Sequence, residues 1–151
     1  MNIKRDTEKC YCINFRKAAR ALTAYYDRAL LPSGVTITQY SLLINLFRAA
    51  PCSVTALAKI MKLERTTLVR NIRPLAKAGL IRDLSAAGGR DRQLTLTEKG
   101  LITLEAAQRL WEKAQANLKK QVGEKEMEKL LNAIAEVEDQ AKTGINPAPP
   151  A

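Results

Sequence analysis

The apolar residues of this sequence leave helical spacing in one stretch and then return to it, and this interruption restricts the folds open to the chain. Up to Gly79 they recur every three or four positions, which is the spacing of one buried helix face. Residues 80–84 and 93–97 are instead short strand-like segments, and 93–97 alternate between polar and apolar side chains. Helical spacing then returns and continues to about residue 142. We therefore predict a mainly α fold with one small β-hairpin.

Prolines, glycines and capping residues mark where the predicted helices begin and end. Ser53 and Thr97 have the short hydroxyl side chains that cap helix N-termini, and Gly79 suits a helix end. Pro74 lies inside a predicted helix, where we expect a bend rather than an end. Phe47 and Ile60 are predicted to face the core. The predicted helices span 6–31, a stretch from Thr36 or Thr38 to Pro51, 53–61, 65–78, 97–122 and 124–142.

Two of these helices, joined by the short turn 62–64, form a helix-turn-helix unit, whose second helix fits the major groove of DNA. This recognition helix lies within Glu64–Gly79. Arginine donates two hydrogen bonds to guanine, asparagine can do the same to adenine, and threonine can touch a thymine methyl group. Arg90 and Arg92, at the hairpin tip, can reach a phosphate or the minor groove. The predicted DNA-binding residues are Ser53, Thr55, Arg65, Thr66, Thr67, Arg70, Asn71, Arg73, Arg90 and Arg92.

The positive charge of the chain, +10 in all, is unevenly distributed. Residues 1–52 contain eight Lys and Arg against three Asp and Glu, residues 53–100 contain ten against four, and residues 101–151 contain seven against eight. A basic surface attracts polyanions through a long-range field that salt weakens. We therefore expect double-stranded DNA to meet the first two thirds of the chain.

Several kinds of protein are disfavoured by what the sequence lacks. It has no histidine and no glycine-rich phosphate loop, so we do not expect an enzyme. Its three cysteines lack the paired spacings of a zinc site, so we expect no metal and no cofactor. No apolar run reaches about 18 residues, and the first nine residues are polar. These features predict a cytoplasmic protein without membrane contact.

Five short segments, in their order and spacing, resemble the multiple-antibiotic-resistance regulator (MarR) family. The resemblance implies a winged helix-turn-helix domain with a helical dimerisation region. It also implies a homodimer that binds a pseudo-palindromic operator, as a repressor does. The segments are Thr38–Leu43, Leu57–Ala58, Glu64–Leu68, Leu75–Leu80 and Leu96–Gly100. The implied division is an N-terminal dimerisation helix (1–34), the DNA-binding domain (35–100), C-terminal dimerisation helices (101–142) and a disordered tail (143–151).

One position in the hairpin departs from the family pattern. The resemblance makes Arg90 the wing arginine and implies an aspartate two residues before it, but that position is Gly88 here. Asp91 is an alternative partner for the arginine. Arg90 and Arg92 are therefore retained together as wing candidates.

The resemblance further implies that a small aromatic or carboxylate ligand releases the DNA. Candidate residues for its pocket are Arg16, Tyr25, Tyr26 and Phe47.

A partial resemblance to the organic hydroperoxide repressor branch suggests, alternatively, a redox-sensing repressor that acts through Cys12, with Cys10 and Tyr26 as further candidates. A cysteine near a helix start among basic residues favours the reactive thiolate, although a Cys10–Cys12 bond requires local unwinding or a partner subunit. Cys52, next to a proline in a turn, is interpreted as incidental. A third alternative is a non-specific architectural nucleic-acid binder.

Overall fold

The computed structural model describes residues 9–85 and 92–144, which fall into two compact units, Met1–Glu112 and Lys113–Ala151. The observed elements agree with the predicted mainly α, winged helix-turn-helix fold. In chain order they are α1 (Tyr11–Leu30), a 3-10 turn (Leu31–Ser33), α2 (Ile37–Ala49), β1 (Cys52–Ser53), α3 (Val54–Met61), α4 (Arg65–Lys77), β2 (Ile81–Asp83), β3 (Gln93–Leu96), α5 (Glu98–Val122) and α6 (Glu124–Thr143).

Helix α1 begins later than predicted. Cys10 precedes it in an extended conformation, with φ −71° and ψ 114°, so the helix starts at Tyr11 instead of residue 6; residues 6–8 lie outside the described part. Its end at Leu30 lies within one residue of the predicted end. The helix stops there because a 3-10 turn with Pro32 follows and Gly34 takes a left-handed φ of 77°.

Helix α2 begins at one of the two threonines that the sequence offered. The Gln39 amide donates to Thr36 Oγ1 (3.3 Å), and the Thr36 amide donates to Gln39 Oε1 (2.9 Å). This reciprocal pair is a capping box, which satisfies two amides that have no partner inside the helix. The Ile37 amide donates to Asp27 Oδ1 (2.7 Å), which joins α1 to the start of α2.

The sheet has three antiparallel strands in the order β1-β3-β2, so the prediction of a two-stranded hairpin was wrong by one strand. Cys52 pairs with Leu94 and Ser53 with Gln93, across a short β1. Two residues are too few to show alternation in the sequence. Cys52 is therefore a buried core residue rather than an incidental turn residue.

The core of the first unit is built mainly from leucines. Two residues predicted to face it were assigned wrongly, because Phe47 is 54% exposed and Ile60 is 49% exposed. Ile60 falls off the α3 face that Val54, Leu57 and Ala58 bury. The fully buried large side chains are Leu30, Leu42, Leu43, Leu46, Leu57, Leu68 and Leu75.

Tyr40 connects α2 with α5 inside the first unit. Its hydroxyl donates to Gln108 Oε1 (2.5 Å), and its ring stacks on Trp111 with centroids 5.9 Å apart. Burial is the main cause that raises the pKa of Tyr40. Trp111, the only tryptophan of the sequence, therefore packs against the core of its own chain.

The second unit consists of the end of α5 and of α6, separated by Gly123, which has φ 98°. Lys119 forms an ion pair with Glu124 across this break. None of the α6 residues, all of which are described, is buried, although the helix carries a stripe of large apolar side chains. These are Leu130, Leu131, Ile134 and Val137.

In the described part of the chain, no single helix has the length and apolarity to cross a membrane. Tyr11–Ser33 and Ile37–Ala49 meet that test only as a pair, bent by 69°.

Candidate nucleic-acid interface

Helices α3 and α4 and the turn between them form the predicted helix-turn-helix unit. Ser53 caps α3 as predicted, since its Oγ accepts from the Ala56 amide (3.1 Å). Lys62 ends the helix in the left-handed conformation (φ 52°), and the Leu63 amide donates to the Ala58 carbonyl (3.0 Å). These bonds satisfy the last carbonyls of α3 and turn the chain into α4.

Helix α4 places its apolar stripe in the core and its polar face outside. Leu68, Ile72 and Leu75 are buried. The helix continues past Pro74 to Lys77, as predicted, and the Ala78 amide donates to the Pro74 carbonyl (3.0 Å). The exposed residues opposite the stripe include Thr66, Arg70, Arg73 and Lys77, and Arg65 and Thr67 are exposed in the first turn.

A cleft of about 500 Å³ lies between α4 and the base of the wing. Thr66, Arg70 and Arg73 line it from α4, and Arg92 lines it next to β3. The structure thus brings four of the predicted DNA-binding residues to one concave surface. Val69 lies on the same side and was missed, because the sequence analysis sought only polar side chains at this face.

A second, smaller cleft of about 240 Å³ lies on the other side of α4. Asn71 lines this cleft together with Thr36 and Thr38 from the start of α2, and Arg70 reaches both clefts. Asn71 therefore lines a different cleft from Arg92 and Arg73, although the sequence placed it in one set with Arg73.

Five other predicted residues lie outside both clefts or outside the described chain. Ser53 is half-buried and its hydroxyl oxygen is engaged as the α3 cap. Thr55 is exposed on α3. Arg65 and Thr67 are exposed in the first turn of α4. Arg90 lies outside the described residues, as does Asp91.

The carboxylate of Asp83 lies beside Arg92 at the base of the wing. Its Oδ2 is 3.5 Å from Arg92 Nε. Its Oδ1 accepts from the Ser85 amide (3.0 Å) and from the Ser85 hydroxyl. The Ser85 hydrogen bonds, and then Arg92, lower the pKa of Asp83, so this carboxylate stays charged at neutral pH. Asp83 could not be recognised from the sequence, because its nearness to Arg92 depends on the register in which β2 and β3 pair.

The candidate sensor residues lie on α1 and α2. Cys12 is exposed, and Cys10 is partly exposed at the helix start. The rings of Tyr25 and Tyr26 meet edge to face, with centroids 5.3 Å apart, and burial is the main cause that raises the pKa of Tyr26. Arg16 is exposed, like Phe47. Among the described residues, no three Cys, Asp or Glu side chains form a group that fits a metal ion.

The start of α5 holds the end of α4 in place. Thr97 caps α5 as predicted, because its Oγ1 accepts from the Gly100 amide (3.0 Å). The same hydroxyl donates to the Gly79 carbonyl (2.6 Å), and Lys99 Nζ donates to the Ala78 carbonyl (2.8 Å). These bonds satisfy carbonyls that the C-terminus of a helix leaves without partners.

The chain is similar to one family model and to several solved structures. A sequence model of the MarR family matches residues 35–84. The M. tuberculosis transcriptional regulator MosR, in complex with DNA, is 36% identical with a TM-score of 0.77, over 90% of this chain and 98% of that one. The repressor CouR, bound to a 23-mer DNA duplex, is 23% identical with a TM-score of 0.76, over 89% and 96%. An S. aureus MepR–DNA complex is 20% identical with a TM-score of 0.73, over 89% and 98%.

Proposed function

Because the chain belongs to the MarR family, we propose that it is a sequence-specific DNA-binding transcriptional regulator, a repressor, that acts as a homodimer on a pseudo-palindromic operator. One observation carries this proposal. The cleft beside α4 brings Thr66, Arg70 and Arg73 together with Arg92 on a single concave, basic surface. The DNA complex of MosR, at 36% identity, supports DNA as the partner of such a surface.

The chemistry of this surface suits a duplex. Arg70, exposed and shared by both clefts, is our candidate for the bidentate contact with guanine O6 and N7. Arg92 at the base of the wing is our candidate for contacts with phosphate or the minor groove, and Arg90, outside the described residues, is retained with it from the sequence. Asp83, whose carboxylate also accepts from the Ser85 amide (3.0 Å), forms an ion pair with Arg92 (3.5 Å).

A homodimer accounts for apolar surface that one chain leaves open. On α1, Phe15 is 43% exposed and Leu22 is 42% exposed, and α6 exposes its whole apolar stripe. Surface of this kind favours burial against a second copy. We therefore propose 1–34 and 101–142 as the dimerisation elements around the DNA-binding domain, 35–100.

Replacing Arg70 with alanine tests the reading role of this residue. We expect Arg70→Ala to weaken binding to the operator by about 1–3 kcal/mol and to relax the preference at one base pair. The operator is the sequence enriched from a random duplex pool, and binding is measured by fluorescence anisotropy at fixed salt. Arg28→Ala, which removes the same charge from an exposed position on α1, is the matched control. An equal loss on operator and random DNA for Arg70→Ala would show that Arg70 reads no base.

For release from DNA, a small aromatic or carboxylate ligand remains our first proposal. The half-buried pair of Tyr25 and Tyr26 offers aromatic edges, and Arg16 on the same helix offers a cation for a carboxylate.

The geometry of Cys10 favours a second candidate function, redox sensing. Cys10 lies outside the helix in an extended conformation, and the Asn14 amide and side-chain nitrogen both donate to its carbonyl (3.1 Å each). Pairing Cys10 with Cys12 therefore requires opening of only the first turn of α1, or a cysteine of a second copy. In this step a peroxide takes two electrons and two protons from the two thiols, which form a disulfide; hydrogen peroxide is thereby reduced to two waters, and an organic hydroperoxide to an alcohol and one water.

Peroxide treatment separates the two release mechanisms. If Cys12 senses oxidants, we expect peroxide to abolish operator binding by the wild type and to leave Cys12→Ser bound, with recovery of the wild type after dithiothreitol. Cys52→Ala is the control, since burial raises the pKa of the Cys52 thiol and makes it a poor nucleophile. Persistence of wild-type binding in peroxide would leave the ligand mechanism as our proposal.

A further inference from the structure

Val69 is an apolar residue in the middle of the exposed, basic side of α4. Its side chain is 45% exposed, and it lines the cleft between α4 and the wing. Thr66 precedes it by three residues and Arg73 follows it by four, so all three lie along one side of the helix. A buried stripe elsewhere on the helix already holds α4 on the core. The packing of the domain therefore does not explain why this position is apolar.

The charges around the cleft limit what can cover Val69. Arg70, Arg73 and Arg92 line the same cleft, and the described lining residues include no Asp or Glu. An apolar ligand or a partner helix would have to bury the guanidinium groups of Arg70 and Arg73 together with the Arg92–Asp83 ion pair, which is costly without further anionic partners. A DNA groove provides phosphates for the arginines, so the duplex is the occupant that the charges favour.

The edge of a base pair offers a valine only one apolar group. Valine has no side-chain donor or acceptor, and in the major groove the C5-methyl of thymine is the one apolar group among the donors and acceptors. We propose that Val69 is a specificity-determining residue that contacts a thymine methyl group in each half-site. The contact is expected beside the base pair that Arg70 reads. This inference rests on the proposed function and adds one recognised base, a thymine, to each half-site.

Replacing single thymines by deoxyuridine tests the contact, because this exchange removes the methyl group alone. We expect one thymine in each half-site at which deoxyuridine weakens wild-type binding by about fourfold, which corresponds to the burial of one methyl group. Val69→Ala should bind the thymine and deoxyuridine operators with nearly equal affinity. Ile60→Ala, which truncates another exposed apolar side chain outside both clefts, is the control and should keep the fourfold difference.

Melting temperatures are expected to stay near the wild-type value, because Val69 is not part of the core. The inference is overturned if the enriched operator has no thymine in its half-sites, or if every deoxyuridine exchange affects the wild type and Val69→Ala equally. In both cases an enriched palindrome would leave the proposed function intact. Absence of any enriched sequence would instead overturn the proposed function together with the inference.

Discussion

Gly100→Ala is expected to lower the free energy of unfolding by about 3 kcal/mol or more. A Cβ atom at this position would lie 2.1 Å from the Leu80 carbonyl oxygen. This oxygen accepts from the Thr97 amide (3.0 Å), and the Leu80 amide donates to the Leu75 carbonyl (2.9 Å). The backbone at Leu80 is therefore held from two sides and has little room to move away.

The fluorescence of Trp111, which stacks on Tyr40, gives a direct measurement of unfolding in urea. Gly34→Ala is the control: Gly34 has φ 77° but nothing within 4 Å of an added Cβ, so it should cost only about 1–2 kcal/mol of backbone strain. A Gly100→Ala variant as stable as the wild type would contradict the tight contact. Alanine is the better helix former by about 1 kcal/mol, so without the contact the substitution would stabilise α5.

The Gly100 contact also bears on the DNA-binding surface. The residues just before it, Thr97 and Lys99, donate to the last carbonyls of α4. A shift of α5 away from Leu80 would pull on these bonds and on the end of the recognition helix. We therefore expect Gly100→Ala to weaken operator binding under conditions in which the variant is still folded.

Leu68→Ala is expected to lower the free energy of unfolding by about 2–5 kcal/mol. Leu68 is fully buried, and with Ile72 and Leu75 it holds α4 on the core. Its truncation leaves a cavity beneath the recognition helix. The matched control is Val69→Ala, one residue further along the same helix, which should change stability by less than about 0.5 kcal/mol.

Urea unfolding of the two variants, followed at Trp111, compares a buried with an exposed position of one helix. Among folded molecules, operator binding should be weaker for Val69→Ala than for Leu68→Ala, since we propose that Val69 contacts DNA and Leu68 does not. Similar losses of stability for both variants would show that the stripe at Leu68, Ile72 and Leu75 is not what holds α4 in place.

The features that depend on neighbouring residues were predictable from the sequence. Ser53 and Thr97 cap the helices that they were expected to cap, because a hydroxyl bonds to an amide three residues further along. Helix α4 was predicted from the spacing of its apolar residues, which is also local, and this spacing outweighed the effect of Pro74. The order of the helices and the turn at 62–64 followed from these signals.

The features that the sequence concealed depend on contacts between distant residues. Cys52 joins the sheet only because β3 offers it a partner. Asp83 lies beside Arg92 only because β2 and β3 pair in one register, with Asp83 opposite Leu94. Ile60 is apolar yet outside the core, and α3 alone does not show which of its sides the core will cover. In the candidate site, Val69 was missed because the sequence does not show that arginines surround it on the exposed side of α4.

Selection of bound sequences from a random duplex pool, at about physiological salt, decides whether the chain is a sequence-specific regulator. We expect an enriched inverted repeat, in which each half-site contains a guanine and a thymine, bound by two copies of the chain. A single mismatch in a half-site should cost about 1–3 kcal/mol. Salt-sensitive binding without any enriched sequence would contradict the claim and would identify the chain as a non-specific nucleic-acid binder.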